Sequence, residues 1–289
     1  MNNEKNKIEK STLYLVATPI GNLSDISERA VKVLSEVDFI AAEDTRNSLK
    51  LLNCLGIKNE LISYHEHNKK SAGEKITERL RLGESCALIT DAGMPAISDP
   101  GEDVVKLVAD EGIRVSVIPG ASASVSALSV SGLDTRRFCF EGFLSASKTE
   151  RRARLDELKY EPRTMVFYEA PHKLRVTLSD MLSSFEEKRR ISICRELTKL
   201  NEEIIRTSIG AAVEYYSANE PRGEFVLVVE GADEAGVKPP TTENFLMNLC
   251  PEEHVSHYES QGLAKMDAIK RAAKDRGITK SELYKLLHS

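Results

Sequence analysis

The chain has 289 residues, a formal net charge of −5 and 41% hydrophobic residues, which is typical of a globular protein. The charge excludes a surface that is basic throughout, but not a local basic face. The five scattered cysteines form no C-x-x-C pair, so we expect neither a disulfide framework nor a zinc site, and we predict a reducing, cytoplasmic setting. The polar stretch 1–10 and the lack of long apolar runs predict no signal peptide and no membrane anchor.

Short apolar strands alternate with helices through the first half of the chain. The pattern predicts an N-cap at Asp25 with Glu28 as its capping-box partner, and a small-residue helix over 125–131. It also predicts strands over 12–17, 38–42, 61–64, 86–90 and 113–118. This alternation predicts a parallel α/β sheet. Since each strand ends in a polar or Gly/Pro loop, five loops are expected at the sheet edge where ligands bind in open α/β folds.

The second half of the chain favours a mixed sheet, because predicted strands outnumber predicted helices. The strands are predicted over 138–143, 164–168, 191–194, 203–207 and 224–230, and the helices over 148–159, 171–184 and 209–216. We interpret 134–137 as the linker between a first α/β domain, 1–134, and a second one, 135–232.

Residues 233–289 are predicted to be a linker, marked by Pro239 and Pro240, followed by a basic helical tail. Residues 261–289 carry seven basic and three acidic residues, with helical patterns around 265–274 and 280–287. This pattern resembles a helix-turn-helix with a basic face. A plain solvated helical hairpin is the alternative, and the sequence leaves both open.

The loop over 90–101, which follows the fourth strand, is too long for an ordinary connection between a strand and a helix. Pro95 and Pro100 lack an amide N–H, so this loop is poorly suited to wrapping a phosphate, and no phosphate-binding glycine motif occurs in the chain. Its exposed carbonyls and its carboxylates, Asp91 and Asp99, suit a ligand with cationic and amine groups. S-adenosylmethionine is such a ligand.

Seven ordered segments together resemble the ribosomal RNA small-subunit methyltransferase I family of the tetrapyrrole methylase superfamily. They are LVATPIGNL (15–23), AEDTR (42–46), YHEHN (64–68), the 90–101 loop, PGASA (119–123), FYEAPH (167–172) and RELTK (195–199). The resemblance extends from about residue 12 to 230. It implies two α/β domains with S-adenosylmethionine in the cleft between them, and a homodimer. It also implies 2'-O-methylation of a cytidine ribose at the decoding centre of 16S rRNA, for which we expect the small ribosomal subunit as the substrate.

The resemblance also implies which residues of this chain bind the cofactor, at the positions that match the family's motifs. These residues are Pro19, Asp91, Gly93, Ile97, Ser98, Ala121, Ser122, Ala170 and Leu197. Small residues at 121, 122 and 170 would let the backbone approach a flat adenine and a methionine chain. Tight packing of a helix on the sheet is the alternative role for Ala121 and Ser122. No metal is expected, because His65 and His67 have no evident third ligand.

A ribose hydroxyl needs its proton removed, or its developing charge stabilised, at neutral pH. Asp44, Arg46, His65 and Lys199 are therefore predicted as catalytic residues. Lys199 would serve as a base only if desolvation lowered its pKa; otherwise it is a phosphate contact or a surface charge. Further candidates are Glu43, which is alternatively a structural partner of Arg46, and Glu169, Arg195 and Glu196.

RNA contacts are predicted on a basic stretch, with a solvated amphipathic helix as the alternative. The stretch comprises Arg136, Arg137, Lys148, Arg151, Arg152 and Arg154. Three other functions compete with rRNA methylation. They are methylation of a tetrapyrrole carbon, a non-catalytic ribosome-assembly factor with a vestigial cleft, and a magnesium-dependent nucleotide hydrolase that uses Glu43 and Asp44.

Overall fold

The computed structural model describes residues 7–232, 249–260 and 262–287. The chain divides after Ala232 into two compact units. The predicted Pro239–Pro240 linker lies outside the described residues. None of the described helices is long and apolar enough to cross a membrane.

The first sheet of the larger unit is parallel, as predicted. Its strands are β1 (Thr12–Val16), β2 (Phe39–Ala42), β3 (Leu61–Ser63), β4 (Cys86–Ile89) and β5 (Arg114–Ile118), in the order β3-β2-β4-β1-β5. Because β4, β1 and β5 lie side by side, the loops that follow them meet on the side of the sheet where β5 is the outermost strand. The loop that follows β3 lies at the far end of the sheet.

This part of the described chain contains five α-helices. They are α1 (Glu28–Glu36), α2 (Thr45–Cys54), α3 (Lys69–Arg81), α4 (Gly101–Asp110) and α5 (Ala123–Val130). The first four cover the two faces of this sheet, and the fifth, α5, packs on the second sheet. The predicted N-cap at Asp25 is wrong. Asp25 ends a short 3-10 turn, and Ser27 caps α1 by accepting a hydrogen bond from the Ala30 amide. The loop after β2 is shorter than the sequence suggested, because α2 begins at Thr45 with Asp44 as its N-cap.

The second sheet is mixed, as predicted. Its strands are β6 (Phe138–Phe143), β7 (Thr164–Glu169), β8 (Arg190–Arg195), β9 (Glu203–Ser208) and β10 (Phe225–Val229), in the order β6-β7-β10-β8-β9. β6 and β7 are parallel, whereas β10 is antiparallel to both β7 and β8. The start of β10 therefore lies beside the carboxyl ends of β7 and β8.

Both faces of the second sheet are buried, but by different parts of the chain. One face packs against α6 (Lys148–Glu157), α7 (Pro171–Ser184) and α8 (Ile209–Ala218). The other face belongs to a core cluster that α5 enters: Ala127 and Leu128 pack with Val166, Val226 and Val228. The last helix of the first half of the chain thus helps to bury the second sheet.

The three arginines of α6 form ion pairs, which weighs against their predicted role as an RNA-binding face. Arg151 is only 6% exposed. It donates to Asp180 from Nε at 2.9 Å and from Nη2 at 2.7 Å. Arg152 binds the other oxygen of Asp180 at 2.7 Å, and Arg154 pairs with Glu141 and Glu157. Periodicity places these arginines on the helix but does not reveal their partners.

The smaller unit contains three described helices: α9 (Pro251–Ser260), α10 (Lys265–Asp275) and α11 (Lys280–Leu286). The last two confirm the predicted helical patterns, whereas α9 was not predicted. The core of this unit is built from small and aliphatic side chains, namely Val255, Ala268, Ile269, Ala272, Ala273 and Leu283. Gly277, at φ +64°, lies in the turn between α10 and α11, where a left-handed conformation suits glycine.

Candidate active site

A cavity of about 540 Å³ lies where the loops after β1, β4 and β5 meet the edge of the second sheet. The loop after β4 supplies most of one wall. The opposite wall comes from the ends of β7 and β8 and the start of β10, including Ala170, Leu197 and Phe225. The volume lies within the range of about 300–1,000 Å³ usual for small-molecule sites.

The 90–101 loop is held in one conformation by hydrogen bonds within the larger unit. The backbones of Thr18 and Gly93 exchange two hydrogen bonds, of 2.9 and 3.1 Å, which tie the loop to the turn after β1. Asp99 Oδ1 accepts from the amides of Ala96 at 3.0 Å and Gly101 at 2.7 Å. Burial raises the pKa of Asp99, although these two amides oppose the shift.

The same loop contains residues in an uncommon backbone conformation. Ala96 has φ +68° and Ser98 has φ +61°, and Ser98 lines the cavity. Non-glycine residues in the left-handed region cost of order 1–3 kcal/mol each and persist only where the surroundings fix them. Gly101 is required for space, because a Cβ there would lie 2.6 Å from Asp99 Oδ1.

The structure gathers most of the predicted cofactor residues around the cavity. Those that line it are Asp91, Gly93, Ile97, Ser98, Ser122, Ala170 and Leu197. Pro19 and Ala121 are not among the lining residues, although their neighbours Ile20 and Ser122 are. Ala121 packs against the apolar cluster between α5 and the second sheet, which matches its alternative packing role.

Carboxylates and helix N-termini give the cavity its polar character. Glu43 Oε2 accepts from Thr90 Oγ1 at 2.7 Å, and Asp91 Oδ2 accepts from Asn47 Nδ2 at 3.3 Å. Ser122 and Ala170 are the N-caps of α5 and α7, so both helices begin at the cavity. The first amides of a helix have no partner within it and favour negative groups. The site therefore offers positions for both positive and negative groups.

Apolar side chains complete the walls. Ile20, Ile97, Leu197, Phe225 and Val226 line the cavity. Tyr168 lies at the second sheet's edge, with its ring centroid 4.9 Å from that of Phe140 and 5.5 Å from that of Phe143. Such surfaces suit a flat or aliphatic part of a ligand.

The four predicted catalytic residues do not line the cavity. Asp44 caps α2 and forms an ion pair with Arg46, whose Nη2 lies 2.8 Å from Oδ2. Hydrogen bonds from the Arg46 side chain and amide lower the pKa of Asp44 to about 2, which makes Asp44 a weak base. The Arg46 side chain is 87% exposed and follows directly on the loop after β2. It thus remains accessible to an anionic partner.

Lys199 and His65 are also held away from the cavity. Lys199 Nζ lies 2.9 Å from Glu196 and 2.7 Å from Glu224, of which Glu224 lines the cavity. Burial lowers the pKa of Lys199, but the hydrogen bonds that its ammonium donates to Glu224 and Glu196 outweigh burial, and the net pKa is raised. This is the opposite of what a general base needs. His65 follows β3 at the end of the sheet, and its buried Nδ1 has no hydrogen-bond partner among the described residues.

Two of the remaining candidates, Glu169 and Arg195, form contacts within the fold. Glu169 is 4% exposed and accepts from the Ala170 amide and the Thr177 hydroxyl, so both of its oxygens stabilise the start of α7. Arg195 donates to the carbonyl of Arg222 and pairs with Glu203. The described residues include no group of three or more His, Cys, Asp and Glu side chains placed to hold a metal ion.

Sequence reasoning gave too little weight to Glu43. It was weighed as a partner of Arg46, but Arg46 pairs with Asp44, and Glu43 faces the cavity instead. The signal was its position directly after a buried strand, where the first side chain lies at the ligand edge of the sheet. His172, in the first turn of α7, also lines the cavity and was quoted only as part of a motif.

Comparison with known proteins places the chain among methyltransferases. Residues 12–213 match the family described as Tetrapyrrole (Corrin/Porphyrin) Methylases. A protein of Halalkalibacterium halodurans named ribosomal RNA small subunit methyltransferase I is 49% identical over 280 residues, covering 97% of this chain and 96% of the relative. Its namesake in Bacillus subtilis (strain 168) is 46% identical over 282 residues, covering 98% and 96%.

Solved structures support the fold at low sequence identity. Uroporphyrin-III C-methyl transferase from Thermus thermophilus, complexed with S-adenyl homocysteine, matches with a TM-score of 0.54 at 16% identity, covering 76% of this chain and 97% of that one. The cobalt precorrin-4 methyltransferase of cobalamin biosynthesis matches with a TM-score of 0.57 at 15% identity, covering 80% and 97%.

Proposed function

Because this chain belongs to the ribosomal RNA small subunit methyltransferase I family of tetrapyrrole methylases, we propose that it methylates the 2'-hydroxyl of a cytidine ribose in 16S rRNA, with S-adenosylmethionine as the methyl donor. The observation that carries this proposal is kinship over nearly the whole chain with relatives named for rRNA methylation. The proposed target lies near the decoding centre, and the proposed substrate is the small ribosomal subunit.

The cavity residues fit S-adenosylmethionine. The carboxylate of Asp91 suits the positive groups of the donor, and the N-terminus of α5 suits its carboxylate. The apolar side chains of Ile20, Leu197 and Val226 suit the adenine and the methionine chain. When bound, S-adenosylmethionine supplies a methyl group that is already activated on a sulfonium.

The fixed loop supplies much of the proposed rate enhancement. In-line transfer from an activated donor depends mainly on the position and orientation of the reacting groups. The Thr18–Gly93 bridge and the Asp99 hydrogen bonds hold the loop before any ligand binds. Binding then requires little ordering of this part of the backbone.

Glu43 is the residue that geometry favours for accepting the hydroxyl proton. Among the other carboxylates that line the cavity, Glu169 has both oxygens engaged at the start of α7, Asp99 binds loop amides through Oδ1, and Glu224 pairs with Lys199. Asp91, the remaining one, is assigned to the donor. Glu43 has one oxygen held by Thr90, which fixes the side chain and leaves its second oxygen for the substrate. Asp44, Arg46, His65 and Lys199 remain predictions, with Arg46 best placed as a phosphate contact.

A methyl-transfer assay tests the proposal directly. Labelled S-adenosylmethionine is offered with small subunits lacking the modification, with naked 16S rRNA and with a tetrapyrrole mixture. Label in the ribose of one cytidine supports the proposal, and the subunit should be modified faster than the naked RNA. Label in the tetrapyrrole, or cofactor binding without label in any substrate, would contradict the proposed substrate. Light scattering tests the proposed homodimer.

A further inference from the structure

We propose that the outward faces of α10 and α11 form an RNA-docking surface that binds phosphates of the rRNA substrate. The inference rests on the proposed function, because it takes RNA to be the polyanion. The lysines concerned are all exposed, namely Lys265, Lys270, Lys274, Lys280 and Lys285, and of these Lys270, Lys274 and Lys285 lie opposite the buried residues of their helices. These lysines give a protein of net charge −5 a local site for a polyanion.

Of the three acidic residues of these two helices, Asp267 is exposed about one turn before Lys270, and the other two have partners elsewhere. Asp275 accepts from the Tyr258 hydroxyl at 2.5 Å and lies 3.4 Å from His254 Nε2. Glu282 is consumed by the capping box with Thr279, accepting from both its amide and its hydroxyl at 2.7 Å. Within the described part of the chain, no carboxylate lies within ion-pair distance of the five lysines.

The fold of the small unit directs the positive charge outward. The apolar stripe of α10, from Ala268 to Ala273, is buried against α9 and α11. Lys270 and Lys274 are one helical turn apart on the opposite side, about 6 Å along the axis. Because the apolar stripe is already used for packing, α10 cannot insert it into a membrane, and a hydrated polyanion is the fitting partner.

RNA is also favoured by comparison with the other basic helix of the molecule. The arginines of α6 are neutralised by Asp180, Glu141 and Glu157. The tail therefore differs from α6, whose three arginines all have carboxylate partners.

The test compares the full-length protein with a K270Q/K274Q/K285Q variant. Binding to unmodified 16S rRNA is measured by filter retention over a salt series of about 50–200 mM. The loss of about three phosphate contacts should lower the affinity on the order of 10–100-fold and reduce the slope of log affinity against log salt by about 2–3. The KM for RNA should rise, while kcat at saturating RNA should stay within about twofold, because the cavity is untouched.

The matched control is K58Q/K75Q/K106Q, which removes the same charge from exposed lysines of the larger unit. Equal losses in both variants, or an unchanged salt slope in the tail variant, would overturn the docking surface. Unchanged RNA affinity with an altered molar mass would assign the surface to contact between protein copies and would also overturn it. Failure of the proposed methylation is distinguishable, because the wild type would then bind RNA with the same tail dependence but transfer no methyl group.

Discussion

Asp180 provides the sharpest test of how the second sheet is stabilised. Its side chain is 3% exposed and binds two arginines, Arg151 through Oδ2 and Arg152 through Oδ1. The remaining nitrogen of Arg151 donates to the carbonyls of Ser145 and Ala146. Replacing Asp180 with Asn keeps the shape of the side chain but removes the negative charge from beside a buried guanidinium.

The expected cost is large because the remaining charge stays buried. Removing one partner of a buried ion pair typically destabilises a protein by about 3–5 kcal/mol, out of a total stability of about 5–15 kcal/mol. Burial opposes ionisation of Asp180, but hydrogen bonds from Arg152 and Arg151 outweigh it and lower its pKa. A carboxyl whose pKa is lowered by folding stabilises the folded state at pH values above its pKa in the unfolded chain, about 4. This contribution is lost as the pH falls through the pKa of the folded state. The difference in unfolding free energy between the wild type and Asp180→Asn should therefore become smaller at acidic pH.

Urea unfolding followed by far-UV circular dichroism measures the difference. Glu220→Gln is the matched control, because it removes one carboxylate from an ion pair with Arg222 whose side chains are 77% and 70% exposed. That control should change stability by less than about 0.5 kcal/mol. A loss in Asp180→Asn within about 1 kcal/mol of the control would refute the reasoning. Full stability of Arg151→Ala with weakened RNA binding would instead restore the original interpretation of α6 as an RNA face.

Three other changes test the cavity and the tail. Glu43→Gln should lower the methyl-transfer kcat by about 10²–10⁴-fold while calorimetry finds S-adenosylmethionine affinity within about threefold of wild type; an unchanged kcat would remove Glu43 from the reaction. Gly101→Ala should weaken S-adenosylmethionine binding by about tenfold, because its Cβ would displace Asp99 and the loop that Asp99 holds; wild-type affinity would contradict this. His254 is buried, and both burial and the neighbouring guanidinium that donates to its Nδ1 lower its pKa. In the unfolded chain this histidine takes up a proton near pH 6.5, so the folded state loses stability as the pH falls below that value. Hydrogen exchange across 251–286, corrected for intrinsic rates, should therefore accelerate below about pH 6.5. Constant protection over this pH range would contradict the prediction.

The sequence was informative where local pattern determines structure. The helix Pro171–Ser184 was predicted to the residue, and β1, β2 and β4 were located within a residue or two. Proline at the first helical position and short apolar runs are local signals, and they do not depend on distant parts of the chain. The Gly/Pro loop over 90–101 likewise indicated the cavity by its length and composition.

What escaped prediction depends on contacts between distant residues. Strand order places the loop after β3 at the far end of the sheet, so His65 is separated from the cavity although its motif suggested otherwise. The carboxylate that pairs with Arg151 is 29 positions away along the chain, and one of the two that pair with Lys199 is 25 positions away. No periodicity shows whether a basic side chain will meet a carboxylate, and that meeting decides whether its charge is available to a ligand.

The packing of α5 on the second sheet has a consequence for how this molecule can be divided. A fragment ending at the predicted boundary, residue 134, would expose Ala127 and Leu128, while its complement would expose Val166, Val226 and Val228. Dividing the chain here would expose one apolar surface on each fragment, and each surface would favour aggregation. We therefore expect that the two sheets must be expressed together and that they unfold together.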